Sequence, residues 1–355
     1  MISNITWCFL ESNSYHPKWS LILFNFVTRR VIYTLILLAL VSISVFYIFD
    51  WIPVDPARLV CSKQCTPALV EANRARLGLD VPVLEQWLRF MQGLFVGRNY
   101  GHGAAAFHCP APAFGYTFTR HQCVTELIAK TFPVTLSLAL GAFFLWMLVG
   151  VSLGILAAKN RGKFLDKAST VFVLIGTSLP TFLTGVLIII FVVLKFNLID
   201  PLHIGNWANP FTDPVGWLKA FFFPSLTLAI AYAATYTRFT RSNVLETSSE
   251  DYIRTARAKG LSEKVVMRKH VLRAALAPLV TMAGLDFSGL LGGAIITEKI
   301  FGLDGLGSLS VKAVFQTYDL PIIVATTIIA SAFVVFMNLL VDIAYAYIDP
   351  RVRLK

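Results

Sequence analysis

The chain has 355 residues, 56% of them hydrophobic and only 14% charged, against about 25% charged in an average soluble domain. With a mean hydropathy of +0.67, this composition excludes a disordered chain, a collagen-like chain and a small disulfide scaffold. The net charge of +11 would suit either nucleic acid or a membrane face, so the placement of the positive residues has to decide.

A hydrocarbon slab of about 30 Å takes roughly 20 helical residues with few charges among them. Six segments meet that requirement: residues 31–49, 132–158, 168–193, a run from about 221 that fades into Arg238 and Arg241, 274–296, and 321–347. Runs of this length satisfy every backbone amide within themselves and read as helices, not barrel strands. With the N-terminus placed in the cytosol, 19 of the 31 Lys and Arg fall in the N-tail, the 159–167 hairpin, the 238–273 loop and the C-tail. The basic excess is thus a topology signal. No basic stripe interleaved with aromatics and no recognition-helix pattern supports nucleic-acid binding. The first crossing is too long for a signal peptide and no A-x-A-like site follows it, so it is expected to stay as an anchor behind a cytosolic tail of residues 1–28.

Residues 50–131 form an extracytoplasmic segment that holds Cys61, Cys65, Cys109 and Cys123, while Cys8 lies in the cytosolic tail. An even number of cysteines on the oxidising side points to one or two disulfides with three possible pairings. His102, His108 and His121 lie nearby, so a zinc site is the competing reading. Free buried thiols are the third.

The stretch 246–278 between the fourth and fifth crossings is too long for a hairpin. Ser248 and Asp251 have the spacing of a capping box, which predicts a helix from about residue 249 through Asp251, Tyr252, Ile253, Arg254, Thr255, Ala256, Arg257, Ala258 and Lys259, with Gly260 as its C-cap. A second helix is expected to start at Ser262 and return to the membrane near Arg273. The small residues Thr255, Ala256 and Ala258 would let this helix enter a groove on a soluble partner; an interfacial amphipathic helix is the other physical reading.

Within the fifth crossing, Asp286 costs roughly 2.5 to 3.5 kcal/mol on insertion scales. It is expected either to line a translocation path and meet a cationic or amino-terminal group, or to be a protonated or helix-paired carboxylate. Asn338 and Asp342 share a helix face and are read as packing residues, as are Gly284, Gly289, Gly292 and Gly293. No G-x-x-x-x-G-K-[ST], H-E-x-x-H or G-x-S-x-G run occurs, so neither nucleotide binding nor catalysis is expected of this chain. A channel or secondary transporter would need ionisable relays or repeated broken helices, and Asp286 alone gestures that way.

The run from Asp251 to Ser262, followed by 270–278, resembles the cytoplasmic signature of ABC-importer permease subunits of the dipeptide and oligopeptide branch. Further matches follow in order: Leu77 to Pro82, Phe132 to Thr135, Gly150 to Ala158, Gly176 to Pro180, Phe223 to Ala229, Gly289 to Phe301 with Gly305 and Gly307, and Asp349 to Arg353. The resemblance covers residues 26–355. The general importer signature Glu-Ala-Ala before Gly is replaced by Arg254, Thr255 and Ala256 before Gly260, as in the peptide branch. The resemblance implies an all-α membrane protein of the type I ABC importer permease fold: six transmembrane helices, both termini cytosolic, and an extracytoplasmic insertion between helices 1 and 2. It further implies a bacterial plasma (inner) membrane location, a second homologous permease subunit, two ATP-binding subunits docked on the 251–260 helix and its equivalent, and an extracytoplasmic solute-binding protein. ATP and Mg would be bound by the ATPase subunits, and this chain would hold no metal or cofactor. The implied cargo is a di- or oligopeptide, with a nickel chelate, glutathione or haem as alternatives.

Overall fold

The computed structural model describes residues 16–51, 55–59, 66–100, 107–117, 119–196 and 207–348. Helix α1 spans His16–Trp51 and so starts inside the stretch read as a tail; Cys8, Cys61, Cys65, His102 and the C-tail from residue 349 lie outside the described residues. Beyond α1, past a single short turn of helix at Pro56–Leu59, come α2 (Pro67–Leu77) and α3 (Val83–Val96). Thr66 caps α2 through its side chain and Gly78, at φ +71, ends it in the left-handed region. The amphipathic α3 lies against α1: Trp87 Nε1 donates to Ser42 Oγ at 2.9 Å and the Phe46 and Phe90 rings are 5.4 Å apart.

Two short antiparallel ribbons complete this segment. Strand β1 (Arg98–Tyr100) pairs with β2 (Phe107–Cys109), Arg98 opposite Cys109, and β3 (Tyr116–Thr117) pairs with β4 (Gln122–Cys123). A disulfide joins Cys109 to Cys123, linking the two ribbons under a small aromatic cluster of Tyr100, Phe107 and Tyr116.

Helix α4 begins directly after Cys123 and runs Val124–Lys159, about 54 Å at 1.5 Å per residue and longer than the crossing expected there. Helices α5 (Phe164–Ser178) and α6 (Thr181–Lys195) meet at 103°, where a single straight crossing over 168–193 was expected. The cause is Pro180: it has no N–H to donate, and it pushes Leu179 into the extended region at ψ 121. Helix α7 (Pro214–Ser249) starts from an Asp213 side chain that accepts the Gly216 N–H at 2.8 Å, and it continues far past residue 241.

Below the bundle lie α8 (Asp251–Ala258) and α9 (Glu263–Ala275). A 43° bend separates α9 from α10 (Ala277–Gly293), with Pro278 in the first turn of α10, where its missing donor costs least. Then come α11 (Ile295–Phe301), α12 (Leu306–Lys312) and α13 (Leu320–Ile348). The expected fifth crossing is therefore broken at Leu276 and again at Ala294. Among the described residues four helices are long and apolar enough to span a membrane, or up to six when each bent pair counts as one span.

Helix α7 is the centre of the bundle. Lipid gives no hydrophobic reason for helices to associate, so contact depends on close backbone approach. Gly150 and Gly154 on α4 provide it: a Cβ at Gly154 would lie 2.5 Å from Thr240 Cβ and one at Gly150 would lie 2.7 Å from Tyr236 Cβ. Gly176 on α5 stands in the same relation to Ala234. Of the glycines read as packing residues, Gly284 does press against Val341, whereas nothing lies within 4 Å of a Cβ built on Gly289.

A second anchor is polar. The carboxylate of Glu298, fully buried, accepts the Thr135 hydroxyl at 2.6 Å and the Ser308 N–H at 2.7 Å, while Thr135 Oγ1 accepts the Leu306 N–H at 2.8 Å. Gly305 faces the same carboxylate so closely that a Cβ there would overlap it.

Two outcomes follow. Gly154→Val should cost roughly 1 to 3 kcal/mol or more by overpacking, read as a lowered melting temperature of the detergent-solubilised protein. Replacing both Cys109 and Cys123 by Ser should cost about 2 to 4 kcal/mol of local stability for a loop of this length, and limited proteolysis should then cut between residues 97 and 123 while sparing the bundle.

Candidate functional site

The stretch that carries the resemblance folds as a short helix beneath the bundle, entered by a route different from the one its sequence suggests. Ser248 and Asp251 form no capping box. Ser248 remains inside α7, where its hydroxyl donates to the Val244 carbonyl at 2.6 Å, and Ser249 likewise donates to Glu246. Both hydroxyls are consumed by the preceding turn, as Ser side chains in helices commonly are. The chain turns instead at Glu250 (φ −64, ψ 148), whose carbonyl accepts from the N–H groups of Ile253 and Arg254. The other end conforms: Gly260 sits at φ +77 with its N–H on the Arg257 carbonyl at 2.9 Å.

Two faces of α8 differ sharply. Ile253 and Ala256 are buried, packed with Ala158 of α4, Val244 of α7 and Val266, Val271 and Ala275 of α9. Asp251, Tyr252, Arg254, Thr255, Arg257, Ala258, Lys259 and Gly260 are exposed. Ala256, read from sequence as part of the groove-entering face, thus points into the protein's own core: it lies three residues after Ile253, which places both on one side of the helix. The outward surface is formed by Tyr252, Thr255, Ala258 and Lys259.

Arg257 has a partner that sequence reading missed. Its guanidinium forks onto Glu263, Nε to Oε2 at 3.0 Å and Nη2 to Oε1 at 2.7 Å, and so bridges α8 to the start of α9. This hydrogen-bonded pairing holds the Glu263 carboxyl below its ordinary value and raises Arg257. The six-residue spacing across a Gly turn was the available signal. Arg254 reaches only Asp251, its neighbour three residues back, at 3.4 Å. Higher up, Arg241 on α7 grips Asp166 at the start of α5 with two bonds of 2.6 and 2.9 Å, and Asp166 also accepts the Gly162 N–H. The basic hairpin is thereby fixed to the helix that delivers α8.

Asp286 lies on α10, half-buried, and its Oδ2 accepts the Tyr236 hydroxyl of α7 at 2.7 Å. Asp342 of α13 pairs with Arg30 of α1 at 2.7 Å. The thiols of Cys109 and Cys123 are tied to each other, and His108 Nδ1 faces Asn99 Oδ1 at 2.6 Å. Among the described residues no group of three or more His, Cys, Asp or Glu is arranged to hold a metal ion. Cys61 and Cys65 fall outside those residues, and so does His102.

With this geometry in view, likeness to other proteins is informative. The family model described as "Binding-protein-dependent transport system inner membrane component" matches residues 150–354, and its N-terminal companion matches 23–139. A Brucella abortus protein provisionally named a peptide transport system permease is 36% identical over 328 residues, 92% of this chain and 98% of that one. The glutathione transport system permease protein GsiC of Escherichia coli K12 is 35% identical over 331 residues, 93% and 99% of the two chains. Among solved structures, an inward-facing form of the MetNI methionine ABC transporter superposes with a TM-score of 0.51 at 20% identity, over 63% of this chain and 97% of that one. The fold is therefore that of ABC-importer permeases, and the chain belongs to the binding-protein-dependent transport system inner membrane component family.

Proposed function

We propose that this chain is a permease subunit that forms half of a translocation path for di- or oligopeptides across a bacterial inner membrane, driven by ATP hydrolysed on separate subunits. Family membership supports an ATPase and a binding protein as partners in general terms. The specific assembly we infer has a second homologous permease, two ATP-binding subunits that hold ATP and Mg, and a solute-binding protein delivering cargo from outside. Both termini lie in the cytosol in this arrangement, with six crossings, as the distribution of Lys and Arg favours.

The observation that carries the reading is the two-faced α8. A free amphipathic helix would lay its apolar side on lipid; here that side, Ile253 and Ala256, is seated in protein. What remains outward is a rigid surface of small and polar residues, held in place by the Arg257 to Glu263 fork and ready for a groove on a partner. An ATPase that binds this surface more tightly in one conformation than another shifts the bundle between its outward-open and inward-open states.

The relative named for glutathione transport supports a second cargo within the same architecture. Glutathione is itself a tripeptide with an unusual linkage, so the two cargoes differ in detail more than in class.

Bulk added to the outward surface of α8 tests the docking role. Ala258→Trp should leave the permease folded and inserted but reduce its co-purification with the ATP-binding subunits, and ATP-driven uptake, by roughly 10-fold or more. Ala256→Trp should behave differently, lowering thermal stability by about 1 to 3 kcal/mol because it overpacks a closed core. Full uptake with Trp at 258 would remove α8 as the docking element.

A further inference from the structure

Asp286 is placed differently from Glu298 and Asp166, the two carboxylates that anchor the bundle. Glu298 is enclosed by donors from α4 and α12, and Asp166 is neutralised by Arg241. Asp286 has neither arrangement. Its Oδ2 accepts one neutral hydroxyl, from Tyr236, and among the described residues no Lys, Arg or His forms an ion pair with it. Among the described residues no donor is recorded for its Oδ1 and the residue is only half-buried, so one carboxylate oxygen is open to whatever lies beside α10.

The surroundings are aromatic. Tyr236 is fully buried, and Tyr232, one turn earlier on the same face of α7, stacks on Trp146 at 4.7 Å. Trp146 also lies 6.2 Å from Tyr236. On α10 the residue next to Asp286 is Phe287, whose ring packs edge-on against Phe143. A carboxylate beside aromatic rings in an apolar helix run favours a cation: the rings attract positive charge through their quadrupoles and a low dielectric strengthens the pairing. An anion meets repulsion there, and a neutral group leaves the carboxylate unpaired. The Tyr236 hydroxyl holds the carboxylate on its own side while leaving the second oxygen free, which suits transient pairing with a passing group better than permanent closure of the site.

We infer that Asp286, held by the buried Tyr236 hydroxyl and flanked by the partly exposed Tyr232, forms an ammonium-selective subsite within the membrane, which receives the protonated α-amino group of the cargo. The inference rests on the peptide-import reading and makes it specific: cargo with a free amino terminus is preferred over the same peptide with that charge removed.

The test uses the assembled complex of this chain with its partner permease and ATPase subunits in nanodiscs, without binding protein, so that only the membrane path selects. Trialanine and N-acetyl-trialanine are titrated in parallel. Wild type should bind trialanine roughly 10-fold more tightly than the acetylated form, as for one desolvated charge pair. Asp286→Asn should abolish that preference by weakening trialanine alone, and Asp286→Glu should retain it. Equal affinities in wild type, or a preference that survives Asp286→Asn, would overturn the subsite. Import is scored separately, as ATP-driven trialanine uptake with the binding protein restored. Uptake without any binding preference sinks the ammonium subsite and spares peptide import; a retained preference with no uptake sinks the import reading instead.

Discussion

Close backbone approach around α7 is the constraint on which the rest of the molecule depends. In water, burying the apolar surface of a 36-residue helix would hold a bundle together almost regardless of detail; in lipid that gain vanishes, and dispersion contacts and a few hydrogen bonds must suffice. Hence the face of α7 is built from Ser225, Thr227, Ala229, Ala233, Ala234, Thr237 and Thr240, and its neighbours offer Gly150, Gly154 and Gly176 opposite. Side chains of this size let backbones meet at distances where even a β-carbon would collide. The large buried residues Trp146 and Tyr236 lie on these same two helices, their ring centroids 6.2 Å apart, and Gly150 leaves the room that Tyr236 needs.

Polar anchors do a complementary job at the ends of the bundle. Glu298 gathers a hydroxyl from α4 and backbone N–H groups at the start of α12, so that one carboxylate fixes the loop after α11. Gly305 is required because the carboxylate occupies the space a side chain would take, and a Cβ on Gly307 would run into Ile295. A buried charge satisfied by several donors is costly to break and geometrically demanding, which makes it a device for register more than for net stability. At the opposite end Asp166 and Arg241 fix the hairpin between α4 and α5 to α7 in the same manner. Both anchors lie where the chain leaves regular helix, and there close packing alone cannot set the path.

How much of this was legible in the sequence differs by element. Long apolar runs showed where membrane-length helices would lie, because length and hydropathy are properties of the segment itself, but four unbroken helices and two bent pairs stand where six crossings were expected. Their interruptions were harder to see. Pro180 is visible in the sequence, yet Pro133 and Pro224 lie within helices that continue through them, so proline by itself does not separate a kink from a 103° turn. The outward and inward faces of α8 were blurred for a related reason: a helix with Ala at 256 and at 258 offers small residues on both sides, and only contact with Val244, Val266 and Val271 shows which side is spoken for. Glu298 escaped notice because its meaning lies in Thr135, 163 positions earlier. Asp286 stood out at once, since charge in an apolar run needs no partner to be conspicuous; its partner Tyr236 did not.

The same packing that hides α8's inner face also defines what it can move. Ile253 and Ala256 bear on α9 through Val266, Val271 and Ala275, and Asn243 of α7 reaches the Ala275 carbonyl at 3.3 Å just before the 43° bend. Beyond that bend α10 carries Asp286 back against Tyr236 of α7. Helices α7, α8, α9 and α10 therefore form a closed circuit with a hinge at Leu276, fastened at one end by a small apolar core and at the other by the larger core that Leu279, Ala283 and Phe287 share with α7 and by one hydrogen bond. A displacement of α8 relative to α7 has to be absorbed at the hinge or at the bond, because packed helices slide in discrete steps and do not deform smoothly. On the importer reading, the hydrogen bond is the weaker element, so the carboxylate of Asp286 changes its surroundings when the docking helix is pulled. Coupling and cargo recognition would then act on the same pair of helices, which is the arrangement needed for nucleotide turnover on a separate subunit to release what the membrane path has bound.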